Sequence, residues 1–308
     1  MNDEIIDEIL NSTDADELKS LKIKLTKAIE SLDNDGIYWH YTSFEALVSI
    51  LSTDNEFGPT IRATNINFLN DKSEFSHGEK IVNNNGYKTI RTSDNIYSFS
   101  LSKAEDSLYQ WLQYTPKETG VAIGFKLNTE NPNSDFYYPY DFDREKLQIH
   151  SMFTHLAECL YLNDDVVLTD EHKSICKSLY RDTFRGKVPD HLLDVMVKAQ
   201  SETGVITLLP FFIKHPAFMD EREVRVLFDQ ISMRNDDDEK KFDIKYTNKK
   251  PYVDLSFKSN LIYKLQISPR GDSNNMEDLI KHFMGTNLYL SHLDPETDLL
   301  KSNIPYRE

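Results

Sequence analysis

From Glu221 to Phe228 the chain reads Glu-Arg-Glu-Val-Arg-Val-Leu-Phe. Glu223 and Arg225 alternate with Val224, Val226 and Phe228, and a period of two is the signature of a strand with one face on a core. If the strand begins at Glu221, then Glu221, Glu223 and Arg225 share the polar face. Two carboxylates about 7 Å apart beside an arginine offer an acid/base or oxocarbenium-stabilising site. The plainer reading is a solvated strand face carrying an ion pair. The preceding segment, Lys214-His215-Pro216-Ala217-Phe218, has the composition of a loop that could lie over a cleft.

Two other polar clusters lie far upstream. In Trp39-His40-Tyr41-Thr42-Ser43, strand alternation puts His40 and Thr42 on one face and Trp39 and Tyr41 on the other. Thr42 followed by Glu45 has the spacing of a capping box, so a helix is expected to begin there. A histidine beside a hydroxyl and a helix N-terminus can hold a ribose or a phosphate, or can be a satisfied core residue. In Tyr97-Ser98-Phe99-Ser100-Leu101-Ser102 the three hydroxyls share one strand face. They can hold a carboxamide or ribose, or simply face water; no nucleophile elbow surrounds them. Trp111 and Tyr114 follow on a short helix. Each cluster lies in or beside a segment that reads as a strand, which points to one cleft built from distant parts of the chain.

Two parts are expected. Residues 1–35 form a helical extension, capped by Ser12 or Thr13, with Leu18, Leu21, Leu25, Ile29 and Leu32 along one side and Asn34-Asp35-Gly36 at its end. That stripe can dock on the main domain or bind a partner. Residues 36–308 read as an α+β domain. Strands are expected at Ile37–Tyr41, Thr60–Leu69, Ile96–Leu101, Val121–Phe125, Glu221–Phe228, Tyr252–Phe257 and Ile262–Ile267, with a last edge strand at Leu288–Leu290. Helices are expected from Phe44 to Leu51, Ser107 to Tyr114 and Met276 to Phe283, and a mostly helical insertion over about 144–212. Asn235–Glu239 is an acidic loop.

With 35 basic and 51 acidic residues the net charge is −16. That field repels phosphate backbones, so broad non-specific nucleic-acid binding is not expected, while a local basic cleft or a basic partner remains compatible with it. Cys159 and Cys176, both in segments read as helical, make no disulfide framework, which suits a reduced cytoplasmic setting. The start, Met1-Asn2-Asp3-Glu4, lacks the cationic region of a secretory signal, and no apolar run nears the ~20 residues of a membrane span. The scattered histidines have no zinc-like spacing, so no metal is expected.

Taken in order, these motifs resemble a bacterial domain family of unknown function that is itself similar to the ADP-ribosyltransferase superfamily. The resemblance is carried by Trp39-His40-Tyr41-Thr42, Phe68-Leu69-Asn70-Asp71, Ser100-Leu101-Ser102, Trp111-x-x-Tyr114, Gly120–Phe125 and Glu221-x-Glu223-x-Arg225. It implies a split, mostly antiparallel sheet binding NAD as substrate in a central cleft, with no metal. It implies catalytic roles for Glu223, Glu221 and His40. His40, Thr42, Arg62, Tyr97, Ser98, Ser100, Trp111, Tyr114 and Arg225 would contact NAD. It further implies an ADP-ribosyltransferase acting as a toxin or anti-phage effector. The macromolecular acceptor would be a nucleic-acid base sooner than a protein, and an antitoxin or chaperone would hold the enzyme in check. An NAD glycohydrolase and a non-catalytic nucleotide- or partner-binding module are the alternatives.

Overall fold

The computed structural model describes residues 36–52, 58–69, 74–86, 96–128, 135–137, 152–168, 209–230, 244–247, 250–271 and 273–306. The expected N-terminal helical extension, Cys176 and most of the expected insertion lie outside the described residues. Among the described residues the framework is an 11-stranded, mostly antiparallel sheet, of α+β type with few helices. Its strands are β1 (Ile37–Ser43), β2 (Thr60–Asn65), β3 (Ile96–Ser102), β4 (Gly120–Lys126), β5 (Phe136–Tyr137), β6 (Met152–Glu158), β9 (Glu223–Gln230), β10 (Lys245–Thr247), β11 (Lys250–Phe257), β12 (Ile262–Ile267) and β13 (Leu299–Lys301). A separate parallel pair joins β7 (Leu160–Tyr161) to β8 (Ile213–Lys214).

Strand β3 is the junction of the sheet. One edge pairs with β9 along its whole length, from Ile96↔Asp229 to Ser102↔Glu223. The other edge is shared. Strand β2 takes it at Tyr97 and Ser98, and β1 takes it only at Ser102. The sheet therefore forks between Ser98 and Ser102. One limb runs β2–β11, with β10 and β5 beyond, and the other runs β1–β4–β12–β13.

Alternation on β3 sorts the two faces. Tyr97, Phe99 and Leu101 join Val224, Val226 and Phe228 in the largest core, which is closed by α1 (Phe44–Ile50) and α4 (Ser273–Thr286) through Leu47, Met276, Ile280 and Met284. The serine face is covered in two places. Helix α3 (Leu108–Tyr114) brings Trp111 against Trp39, Tyr41 and Ala122. On the other side, Phe211 and Phe212 of the turn Leu209–Phe212 pack on Ile96, Ala157 and Leu227. Helix α2 (Glu74–Asn84) sits on that turn so closely that a Cβ at Gly78 would lie 2.2 Å from the Pro210 carbonyl oxygen.

Several expectations are corrected. Part of the stretch read as a helical insertion is strand, β6, which pairs with β9 from Met152↔Gln230 to Glu158↔Val224. Its Thr154, His155 and Leu156 are all buried, so no polar face alternates to betray the strand. Cys159 follows this strand rather than sitting in a helix. The strand from Thr60 ends at Asn65, whose side chain accepts from the Asn67 amide and opens a 3-10 turn. Leu288–Leu290 is likewise a 3-10 turn, and the edge strand is Leu299–Lys301. The cap of α1 is Ser43, whose hydroxyl accepts from the Ala46 amide, rather than Thr42.

Candidate functional site

Glu221 is not on the strand. It closes a 3-10 turn, Pro216–Glu221, opened by Pro216 and by His215, whose ring nitrogen accepts from the Ala217 amide. Arg222 then takes the left-handed conformation, φ 46°, and β9 begins at Glu223. This sharp reversal brings the two carboxylates together instead of spacing them along a strand. Both accept from Lys214 Nζ, Glu223 at 2.7 Å and Glu221 at a shorter distance. Arg225 completes the group, its Nε and Nη2 each 2.9 Å from one Glu223 oxygen, and its Nη1 donates to the Phe211 carbonyl. All four side chains are buried. Two cations balance two carboxylates, the condition under which buried charge is tolerated.

Five remote residues bind this cluster. Ser100 Oγ donates to Glu223 Oε1 at 2.6 Å, and Tyr114 Oη donates to Glu221 Oε1 at 2.6 Å. Tyr161 Oη accepts from the Glu223 amide, while Gln110 Nε2 and Ser102 Oγ donate to the Glu221 carbonyl. Burial alone would raise the Glu223 carboxyl, but Arg225 and Lys214 together outweigh it and hold it well below the ordinary carboxylate range. Burial, reinforced by the Glu221 carboxylate, pushes the Tyr114 phenol up, so it stays a donor. With four donors on its two oxygens Glu223 is saturated; its remaining assets are fixed charge and the one partner that faces solvent, Ser100.

His40 enters from the other side. It is half-buried, its ring tilted 43° against Phe99 with ring centroids 4.7 Å apart, and its Nδ1 lies 3.3 Å from the Ser100 carbonyl oxygen. A carbonyl only accepts, so Nδ1 carries the proton. Desolvation outweighs that hydrogen bond and lowers the imidazole pKa to about 4, so the ring is neutral near pH 7 and Nε2 keeps an acceptor lone pair. Ser100 thus ties two clusters together at the fork, through its carbonyl to His40 and its hydroxyl to Glu223.

This arrangement makes a pH prediction. Unfolded, His40 binds a proton near 6.5; folded, it does so only near 4. Between these values the unfolded chain holds the extra proton, so the stability due to neutral His40 is present above pH 6.5 and is lost as pH falls toward 4. Denaturant unfolding should show the gap between the wild type and His40→Gln changing over that window and flat above it. A gap independent of pH would overturn the assignment.

The other expected contacts divide. Ser98 is buried on the serine face, and its hydroxyl has no hydrogen-bond partner among the described residues. Thr42 is half-buried near the end of β1. Tyr97 points into the main core, away from the serines. Trp111 is fully buried, its indole N–H donating to Asp106 Oδ1 and its ring meeting Tyr41 edge-on, so it supports the fold rather than a nicotinamide. Arg62 is exposed and engages Tyr252 and Asp254 on β11. Lys214, Tyr161 and Gln110 are additions to the expected set. For Lys214 a signal existed: it ends an apolar run, and a lysine buried there needs carboxylate partners nearby, which Glu221 and Glu223 supply. A cleft of about 560 Å³ lies beside the cluster, lined by Glu105, Ser107, Tyr109, Met219, Asp220 and Arg222 among others, but by neither Glu221 nor Glu223. Among the described residues no His/Cys/Asp/Glu group is arranged to hold a metal, and no helix is long and apolar enough to cross a membrane.

A family model described as a protein of unknown function, DUF2971, matches residues 110–226. The matched segment includes α3 from Gln110 onward, β4 and the Glu221-x-Glu223-x-Arg225 motif, and excludes His40 and the serine strand. No curated protein and no solved structure matches the chain.

Proposed function

We propose that this protein is an ADP-ribosyltransferase that uses NAD as its donor. The observation that carries the reading is Ser100, whose carbonyl meets His40 at the fork and whose hydroxyl meets Glu223, so that three distant sequence motifs are linked through one residue. In the proposed reaction the bond between ribose C1′ and the nicotinamide nitrogen breaks. The electron pair leaves with nicotinamide, and a nucleophilic nitrogen or oxygen of the acceptor bonds to C1′ and gives up its proton to solvent. The fixed negative charge of Glu223 stabilises the cationic ribose centre. His40 Nε2, as an acceptor, orients a ribose hydroxyl, and Tyr114 keeps Glu221 in place. The acceptor is a macromolecule, a nucleic-acid base ahead of a protein side chain. Such an activity loose in a cell is toxic, which fits an effector held in check by a partner.

Saturation of Glu223 favours a second reading, a module that binds a nucleotide without turning it over. Incubating the purified chain with adenylate-labelled NAD and total cell protein, RNA and DNA separates the readings. Free nicotinamide together with label in one macromolecular fraction is expected. Nicotinamide without labelled macromolecule would make water the acceptor and the protein a glycohydrolase. Bound NAD without nicotinamide release would leave the binding module.

A further inference from the structure

The limb of the sheet that ends in β10 carries a patch of cationic and aromatic side chains. On one face, paired register places Thr64 beside Tyr252, Arg62 beside Asp254, and Lys245 beside Tyr252. The Arg62 guanidinium lies over the Tyr252 ring, 5.1 Å from its centre, and 58% of the Arg62 side chain is exposed. Lys245 Nζ is 2.8 Å from Asp254 Oδ2. Lys250, at the start of β11, adds a further cation to this face, on a chain whose net charge is −16. On the opposite face of the same edge Tyr246, paired with Pro251, is 74% exposed. The patch adjoins the candidate site, because Thr64 pairs with Ser98, two residues before Ser100.

An exposed guanidinium lying over a phenol ring offers a planar cationic platform, and a lysine beside it supplies a phosphate contact. Aromatic planes with interleaved cations are how single-stranded nucleic acid is held without sequence preference. A duplex hides its base faces and gains only the phosphate contacts. An acidic peptide has nothing to lay on the platform. We infer that the β2–β11–β10 face binds single-stranded nucleic acid through base stacking on Arg62 and Tyr252 and phosphate contact at Lys245. The inference deepens the acceptor half of the transferase reading, and it is tested without NAD so that the two can fail separately.

The test is fluorescence anisotropy of the full chain with labelled oligo-dT and oligo-U of about twelve nucleotides, a length suited to one such surface. A duplex of equal length and polyglutamate serve as competitors. Binding should weaken as salt rises. Tyr252→Leu should raise Kd about tenfold, in line with loss of one stacked base. Lys245→Gln should reduce the salt slope by about one phosphate contact. A stronger signal with oligo-U or with oligo-dT assigns the strand to RNA or DNA. Should Tyr252→Leu fail to keep the wild-type melting temperature, Arg62→Gln, on an exposed side chain, replaces it. No binding at about 100 µM, where even non-specific complexes form, would overturn the inference. So would equal binding by the variants, or competition by duplex or polyglutamate as effective as that by unlabelled single strand.

Discussion

Glu223→Gln is expected to lower the unfolding free energy by about 3–5 kcal/mol, a loss large enough to unfold many domains of this size. Glutamine keeps the shape but removes one of two charges that neutralise Lys214 and Arg225, and Arg225 loses its bidentate partner. The cost is the buried cation left behind rather than the lost contact itself. Adding Lys214→Gln restores neutrality around Arg225 and Glu221, so the double variant should be more stable than the sum of the two single losses. Denaturant unfolding of the four proteins measures this coupling, and additive losses would show that the side chains do not act as one unit. Acid should act in the same direction on the wild type. The folded Glu223 carboxyl lies well below its ordinary value of 4.5, so its contribution is present above that value and is lost as pH falls below it.

Ser100→Ala is expected to reduce nicotinamide release from NAD by about 10²–10³, the usual cost of removing one well-placed polar group from a reacting centre. The variant should melt like the wild type. Ser100 is exposed, and Glu223 retains Lys214 and both Arg225 donors without it. An unchanged turnover would detach the serine strand from the chemistry. A lowered turnover with a lowered melting temperature would assign Ser100 to the fold instead.

Much of this arrangement was legible because burial leaves a period. Val224, Val226 and Phe228 marked β9, Phe99 and Leu101 marked β3, and the unbroken apolar run from Val121 to Phe125 marked a central strand. Strand β6 was hidden because both its faces are covered. The position of Glu221 was hidden for another reason. Alternation extrapolates a strand past its true end, and only the left-handed Arg222 and the proline-led turn before it reveal the reversal. Trp111 and Tyr97 were read as ligand contacts because an aromatic residue beside a polar motif looks the same in sequence whether it faces a cleft or a core. Lys214 carried a signal of the opposite kind, a charge where charge is costly.

The pairing of β3 with β9 sets the order in which the protein can be made. Ser100 emerges early in synthesis, but its partner strand ends at Gln230, and the register runs from Ile96 to Asp229. Until the ribosome has passed that point, β3 lacks the strand that fixes one edge. Ser100 likewise lacks the Glu223 carboxylate to which it donates. Long-range closure of this kind is slow compared with helix formation. Any activity that depends on Ser100 therefore requires a chain that extends through β9, and a truncated product ending before Glu223 would be inert.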